Sequence, residues 1–209
     1  MIVLGLTGSV GMGKTTTAAM FRALGIPVHD ADAAVHALYR GPLAVAIEAA
    51  FPGTVREGEV DRAALGARVF GDADAMARLE RLVHPEVRGA QADFLEEAAR
   101  LGAPAAVLEV PLLFETGADR LVDAVVVATA SPEIQRARVL ARPGMDEARL
   151  ATVLARQLPD AQKRARADFV VDTGAGLEPA RRQVEAILAA LPEIQGTAFR
   201  PGLPWPRDE

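Results

Sequence analysis

The sequence contains no cysteine. That excludes a disulfide framework, a thiolate metal site and a cysteine nucleophile, and it fits a reducing cytoplasm. Histidine is scarce, with three residues. His84 has no second histidine at metal-ligand spacing, and His29 and His36 read as structural. No apolar run approaches the ~18 residues that would cross a bilayer. The start, Met1-Ile2-Val3-Leu4-Gly5-Leu6, has no basic leader and no small-residue cleavage site, so it predicts a first strand and not a signal peptide. The net charge of -5 offers no positive excess for bulk nucleic-acid binding. No internal repeat is visible. These absences predict a cytoplasmic chain without nucleic-acid or membrane partners. Its 209 residues fit one domain, with room for an inserted lobe.

Half of the residues are apolar, enough for a sizeable core. Short apolar runs at 2–6, 26–29, 105–110, 122–128 and 169–171 predict buried strands. Stretches at helical spacing lie between them. In the middle, Leu43 to Phe51 predicts a helix closed by Pro52-Gly53. Asp61 and Asp72 are candidate caps for helices running to Val69 and Val83. His84-Pro85 predicts a break, with a new helix from Pro85 to about Arg100. Ser131-Pro132 opens a helix, and two more follow near 146–158 and 160–167. A last helix spans 177–191. The proline-bearing stretch 192–209, with Trp205, predicts a flexible tail. Alternating strands and helices imply an α/β fold with a parallel sheet, whose ligands sit beyond the carboxyl ends of its strands.

Gly8-Ser9-Val10-Gly11-Met12-Gly13-Lys14-Thr15 fits G-x-x-x-x-G-K-[ST], with a strand before it and a helix after it. Glycines let backbone N–H groups turn inward around phosphate oxygens, and the helix N-terminus adds a favourable dipole. Lys14 would reach the β- and γ-phosphates, and the Thr15 hydroxyl would bind Mg²⁺. The reading is a P-loop that takes a nucleoside triphosphate.

Three classes of protein use such a loop. A switch-type GTPase needs Asp-x-x-Gly and Asn-Lys-x-Asp, and neither occurs. A motor or transporter ATPase usually needs a longer chain. A small-molecule kinase needs an acidic residue at the acceptor, a helical acceptor lobe and an arginine-bearing lid. Asp32, the helical middle and the 131–166 segment are candidates for these. That segment holds eight basic and four acidic residues, against the acidic balance of the whole chain. It reads either as solvated helix faces or as a clamp on a polyanion.

Asp30-Ala31-Asp32 lies about 17 residues past Lys14. Together with the P-loop, His84-Pro85, Pro111-Leu112-Leu113-Phe114-Glu115, Arg138 and Arg142, it closely resembles the dephospho-CoA kinase family. Arg156-Gln157 and the 167–171 stretch add to the resemblance, which runs from about Ile2 to Leu191. It implies the nucleoside-monophosphate-kinase type of P-loop fold: a five-stranded parallel sheet flanked by helices, with a helical acceptor lobe and a lid. The implied boundaries are a core of 1–32, 105–130 and 168–191, an acceptor lobe of about 33–104 and a lid of about 136–166. The implied reaction moves the γ-phosphoryl group of ATP to the ribose 3′-hydroxyl of dephospho-CoA, with Mg²⁺.

The resemblance places ATP on Gly11, Met12, Gly13, Lys14, Thr15, Thr16, Arg138 and Arg142. It places the acceptor on Asp32, His84, Arg88, Leu113 and Glu115, and catalysis on Lys14, Asp32 and Arg142. Physical alternatives stand beside these roles. Asp32 is also a candidate N-cap for a helix starting near Ala33, and Asp30 reads as a cap or a contact to Mg²⁺-bound water. His84 is also a candidate helix C-cap, and Glu115 a structural loop contact. Glu109, buried in its strand, needs a partner such as Lys14 or Mg²⁺-bound water. Asp172-Thr173-Gly174 should lie near the adenine. Two other readings compete: a nucleoside or nucleotide kinase of the same fold, and a P-loop module that binds without transfer. The expected assembly is a monomer or a weak homo-oligomer.

Overall fold

The computed structural model describes residues 1–206. In chain order the elements are β1 (Ile2–Thr7), α1 (Lys14–Ala23), β2 (Val28–Asp30), α2 (Ala31–Leu38), α3 (Pro42–Ala50), β3 (Val55–Arg56), β4 (Glu59–Val60), α4 (Arg62–Val69), α5 (Ala73–Arg100), β5 (Ala105–Glu109), β6 (Ala124–Thr129), α6 (Pro132–Leu140), α7 (Glu147–Leu154), α8 (Asp160–Ala165), β7 (Phe169–Asp172) and α9 (Leu177–Ala190). The chain divides into two compact units, one of residues 1–29 with everything from Leu95 onward, the other of Asp30–Phe94.

The first unit is built on a five-stranded sheet of order β2-β5-β1-β6-β7. β1 pairs in parallel with β5 and β6, and β6 with β7. β1, β5 and β6 are buried along their whole length, as parallel strands covered on both faces must be. Alternation sorts their side chains. Ile2, Leu4, Leu6, Ala124 and Val126 pack with Ala18 and Phe21 of α1 and Val184 and Ile187 of α9. Val125 and Val127 point the other way, to Leu113 and Phe114. Gly5 makes room there, since a Cβ would stand 2.9 Å from the Leu113 side chain.

The second unit has its own core of Leu43, Ile47, Phe51, Val60, Leu65, Val69 and Leu79. Asp61 caps α4 by accepting from the Ala63 and Ala64 N–H groups, and Asp72 accepts from Ala75. The β3–β4 hairpin was not expected. It turns at Glu57-Gly58, both at positive φ, and the Glu48 carboxylate accepts N–H bonds from Gly53, Thr54 and Val55 at its base. The Glu57-Gly58 pair between Val55 and Val60 was the available signal, weakened by glutamate where asparagine or aspartate is usual.

Two expectations are corrected. His84-Pro85 does not end a helix: α5 is one helix of 28 residues with Pro85 inside it. A proline in a helix interior costs about 3 kcal/mol and removes one N–H donor. Packing at both ends of α5 offsets this, with Leu79 in one core and Leu95 fully buried. His84 is therefore not a C-cap. The stretch from 192 is not loose in its described part. The Asp123 carboxylate accepts from the Val3, Thr197 and Ala198 N–H groups at 2.7, 2.6 and 2.7 Å. Phe199 and Trp205 are buried, and the Gly202 N–H donates to Glu96.

One aspartate thus clasps the first strand and the tail together. Asp123→Ala should cost about 2–3 kcal/mol, because hydrogen bonds to a charged group are lost. Amide hydrogen exchange at Thr197 and Ala198 should accelerate, and unchanged protection would show that the clasp does not hold the tail.

Candidate active site

The P-loop links the carboxyl end of β1 to α1, and other elements hold it at Val10, Gly11 and Met12. The Val10 N–H donates to Gln157 Oε1 at 3.1 Å, and the Val10 carbonyl accepts from Gln135 Nε2 at 2.8 Å. Met12 Sδ accepts from the Ala130 N–H, and the Met12 carbonyl accepts from Thr173 Oγ1 at 3.0 Å. Arg138 spans the same region, donating to Thr173 Oγ1 and Thr173 O at 2.8 Å each and to Gly11 O at 3.4 Å. Gly13 sits at φ 87, and a Cβ there would stand 2.6 Å from Thr173 Oγ1. The loop therefore needs glycine at this point for both conformation and space.

Gly13 puts no side-chain cap on α1, and the first turn of α1 holds no acidic residue. The first N–H groups of a helix lack intrahelical partners, so this end is suited to an anion. Thr15 and Thr16 are exposed there. Lys14 Nζ lies 2.6 Å from Glu109 Oε1. Glu109 ends β5 and is only 2% exposed, and its second oxygen, Oε2, is buried without a hydrogen-bond partner. Arg22 NH2 lies 4.0 Å from that oxygen.

The remaining predicted residues fall in distinct places. Arg142 follows α6 in the exposed turn Ala141–Gly144, and among the described residues no hydrogen bond or ion pair engages its side chain. Arg138, by contrast, is spent on the loop and on Thr173. In the second unit, Asp30 and not Asp32 caps α2, its Oδ1 accepting from the Ala33 N–H at 3.0 Å. α2 starts two residues earlier than predicted, which leaves Asp32 exposed in its first turn. His84 and Arg88 are exposed and stand one turn apart on α5, at a spacing that shares a helix face.

Leu113 has no side-chain surface to offer a ligand, because it is 1% exposed and packed with Phe114, Val125 and Val127. Glu115 is occupied as well. Its Oε1 accepts from Lys163 Nζ at 2.8 Å and from the Leu158 N–H at 2.7 Å. Lys163 is fully buried. Burial pushes the Glu115 carboxyl up, but the bonds from Lys163 and the Leu158 N–H outweigh it and hold the group below its ordinary range.

A family model for dephospho-CoA kinase matches residues 2–178. The chain belongs to the dephospho-CoA kinase family. It is 61% identical over 190 residues to the dephospho-CoA kinase of Rhodopseudomonas palustris strain BisB18, covering 91% of this chain and 96% of that one. A crystal structure of a Thermus thermophilus protein superposes with a TM-score of 0.79 at 38% identity, over 91% of this chain and 97% of that chain. The Campylobacter jejuni dephospho-CoA kinase shares the fold, with a TM-score of 0.60 at 22% identity over 90% and 96% of the two chains. The P-loop kinase fold read from the sequence is the fold observed.

Within this family member, sequence reasoning gave no bracing role to four residues around the loop. Gln135, Gln157 and Thr173 brace it, and Arg22 approaches Glu109. Gln157 and Thr173 carried a signal, through the Arg156-Gln157 pair and the Asp172-Thr173-Gly174 turn. The others lie far along the chain from what they touch, or on a helix face that reads as solvated.

The Glu115–Lys163 pair makes a pH prediction. The native Glu115 pKa lies below the unfolded value, so the pair stabilises fully above the unfolded carboxylate range and loses this as pH falls through the native value. Between about pH 5 and pH 3, the melting temperature should fall more steeply for the unaltered chain than for Glu115→Gln. Parallel curves would remove Glu115 from the acid response.

Proposed function

We propose that this chain transfers the γ-phosphoryl group of ATP to the ribose 3′-hydroxyl of dephospho-CoA, giving ADP and coenzyme A. Membership of the family supplies the substrate pair. The observation that carries the chemistry is the braced P-loop with Lys14 beside the buried Glu109, a donor site held open at a helix N-terminus.

The residues present fit Mg²⁺. The Thr15 hydroxyl is exposed at the start of α1, next to an uncapped helix N-terminus suited to phosphate. Thr15 would hold the ion, with substrate phosphate oxygens beside it. When bound, Mg²⁺ would neutralise charge on the β- and γ-phosphates. Among the described residues no group of three or more His, Asp or Glu side chains forms a metal cage, and a Mg²⁺ shared with substrate phosphates needs none.

Phosphoryl transfer leaves little covalent work to the protein, so position and charge dominate. Lys14 and the N–H groups at the start of α1 grip the phosphates. Arg142, uncommitted in its exposed turn, swings onto the transferring group and stabilises its developing charge. Arg138 holds the loop in shape and leaves the phosphate contact to Arg142. Closure of the 141–144 turn excludes water and limits hydrolysis. We assign the acceptor to the helical unit, where Asp32, His84 and Arg88 present exposed polar groups. Asp32, free of a capping role, orients the 3′-hydroxyl and takes its proton, and Arg88 meets acceptor phosphate. No described helix is long and apolar enough to cross a membrane. We place the enzyme in the cytoplasm, as a monomer or weak homo-oligomer.

A coupled ADP-release assay over a panel of acceptors tests the reaction. Dephospho-CoA should activate strongly, and AMP, CMP and nucleosides should not. Preference for a nucleotide would make this a nucleotide kinase, and release without acceptor dependence would make it a binding module. For mechanism, Asp32→Asn should lower turnover by orders of magnitude with little change in ATP affinity, whereas Lys14→Ala should damage both. Unchanged turnover in Asp32→Asn would remove that residue from the acceptor site.

A further inference from the structure

Glu109 poses an electrostatic problem that Lys14 alone does not solve. Its carboxylate is 2% exposed, and Lys14 occupies only Oε1. Phosphate oxygens compete for the same ammonium group. If Lys14 moves to the phosphates, a buried anion is left with a weakened partner, and breaking a buried pair in this way is costly. The competition would hold Lys14 back on Glu109 and weaken nucleotide binding.

A second cation stands on the other oxygen. Arg22 lies eight residues beyond Lys14 on the same helix and places NH2 4.0 Å from Glu109 Oε2, the oxygen without a hydrogen-bond partner. Its other contact is weak, a 3.5 Å approach of NH2 to the Val28 carbonyl. The Arg22 side chain is 43% exposed, so it approaches the carboxylate from the solvent side. Two cations around one carboxylate leave one positive charge in surplus. That surplus can be given to a phosphate while the carboxylate stays paired.

We propose that Arg22 is a positioning residue for phosphoryl transfer: it holds the Glu109 carboxylate so that Lys14 is released to the phosphates of ATP. Arg22 touches neither substrate in this arrangement and acts through Glu109 and Lys14. Its planar fork can close on Oε2 with a small rotation, replacing the contact that Lys14 gives up.

The inference rests on ATP being the donor, and the test separates the two. ATP affinity is measured by calorimetry without acceptor, on chains whose thermal melts show them folded. Arg22→Gln should weaken ATP binding about fivefold, the scale of a partly exposed pair, and Arg22→Lys should recover most of it. In a Glu109→Gln background, where no buried charge needs a partner, Arg22→Gln should change nothing. The same ATP affinity in Arg22→Gln as in the unaltered chain overturns the proposal. So does an equal loss in the Glu109→Gln background, because Arg22 would then act elsewhere. Failure of the unaltered chain to bind ATP overturns the donor reading along with it.

Discussion

A carboxylate buried at the end of an interior parallel strand needs a partner, and Glu109 is placed there. Lys14 meets it at 2.6 Å. The contact ties the last residue of β5 to the first residue of α1, across the strand that carries the P-loop. It fixes the position of the ammonium group at the mouth of the loop. Glycine in the loop, the bare helix N-terminus and the braces behind the loop all serve a cation held in one position by a buried anion.

The bracing is distributed along the chain. Val10 is gripped by Gln135 and Gln157, and Met12 by Ala130 and Thr173. The clasped groups are carbonyls, a thioether and one N–H on the outside of the loop. Arg138 belongs to this scaffold, and the division between a structural Arg138 and an uncommitted Arg142 follows from which guanidinium has already spent its donors. The same logic separates Glu115, whose buried lysine makes it a strut, from Asp32, whose carboxylate is exposed once Asp30 has taken the cap.

Much of this was legible in sequence because it depends on local rules. Strand runs, the glycine-lysine-threonine spacing, and the Asp61, Asp72 and Ser131 caps each follow from a few neighbouring residues. What was misread depends on distant packing. Pro85 reads as a break by its own chemistry, yet α5 continues because it buries apolar side chains on both sides of it, Leu79 before and Leu95 after. The tail reads as loose by composition, yet Asp123 and two buried aromatics tie it down as far as it is described. Leu113 reads as part of a ligand-facing motif, yet the absent side chain of Gly5 lets it fill the core.

The sequence by itself determined the donor half: a strand, a phosphate-binding loop and a helix are consecutive, and backbone geometry over eight residues defines them. It also determined the family, through motifs whose order along the chain is specific. Tertiary structure alone decided which charged side chains are spent and which are available. Glu109 with Lys14 and Arg22, Arg138 with Thr173, and Glu115 with Lys163 are pairings between residues 35 to 95 positions apart. Residue type says that a charge needs a partner, but only the fold brings the partner within reach.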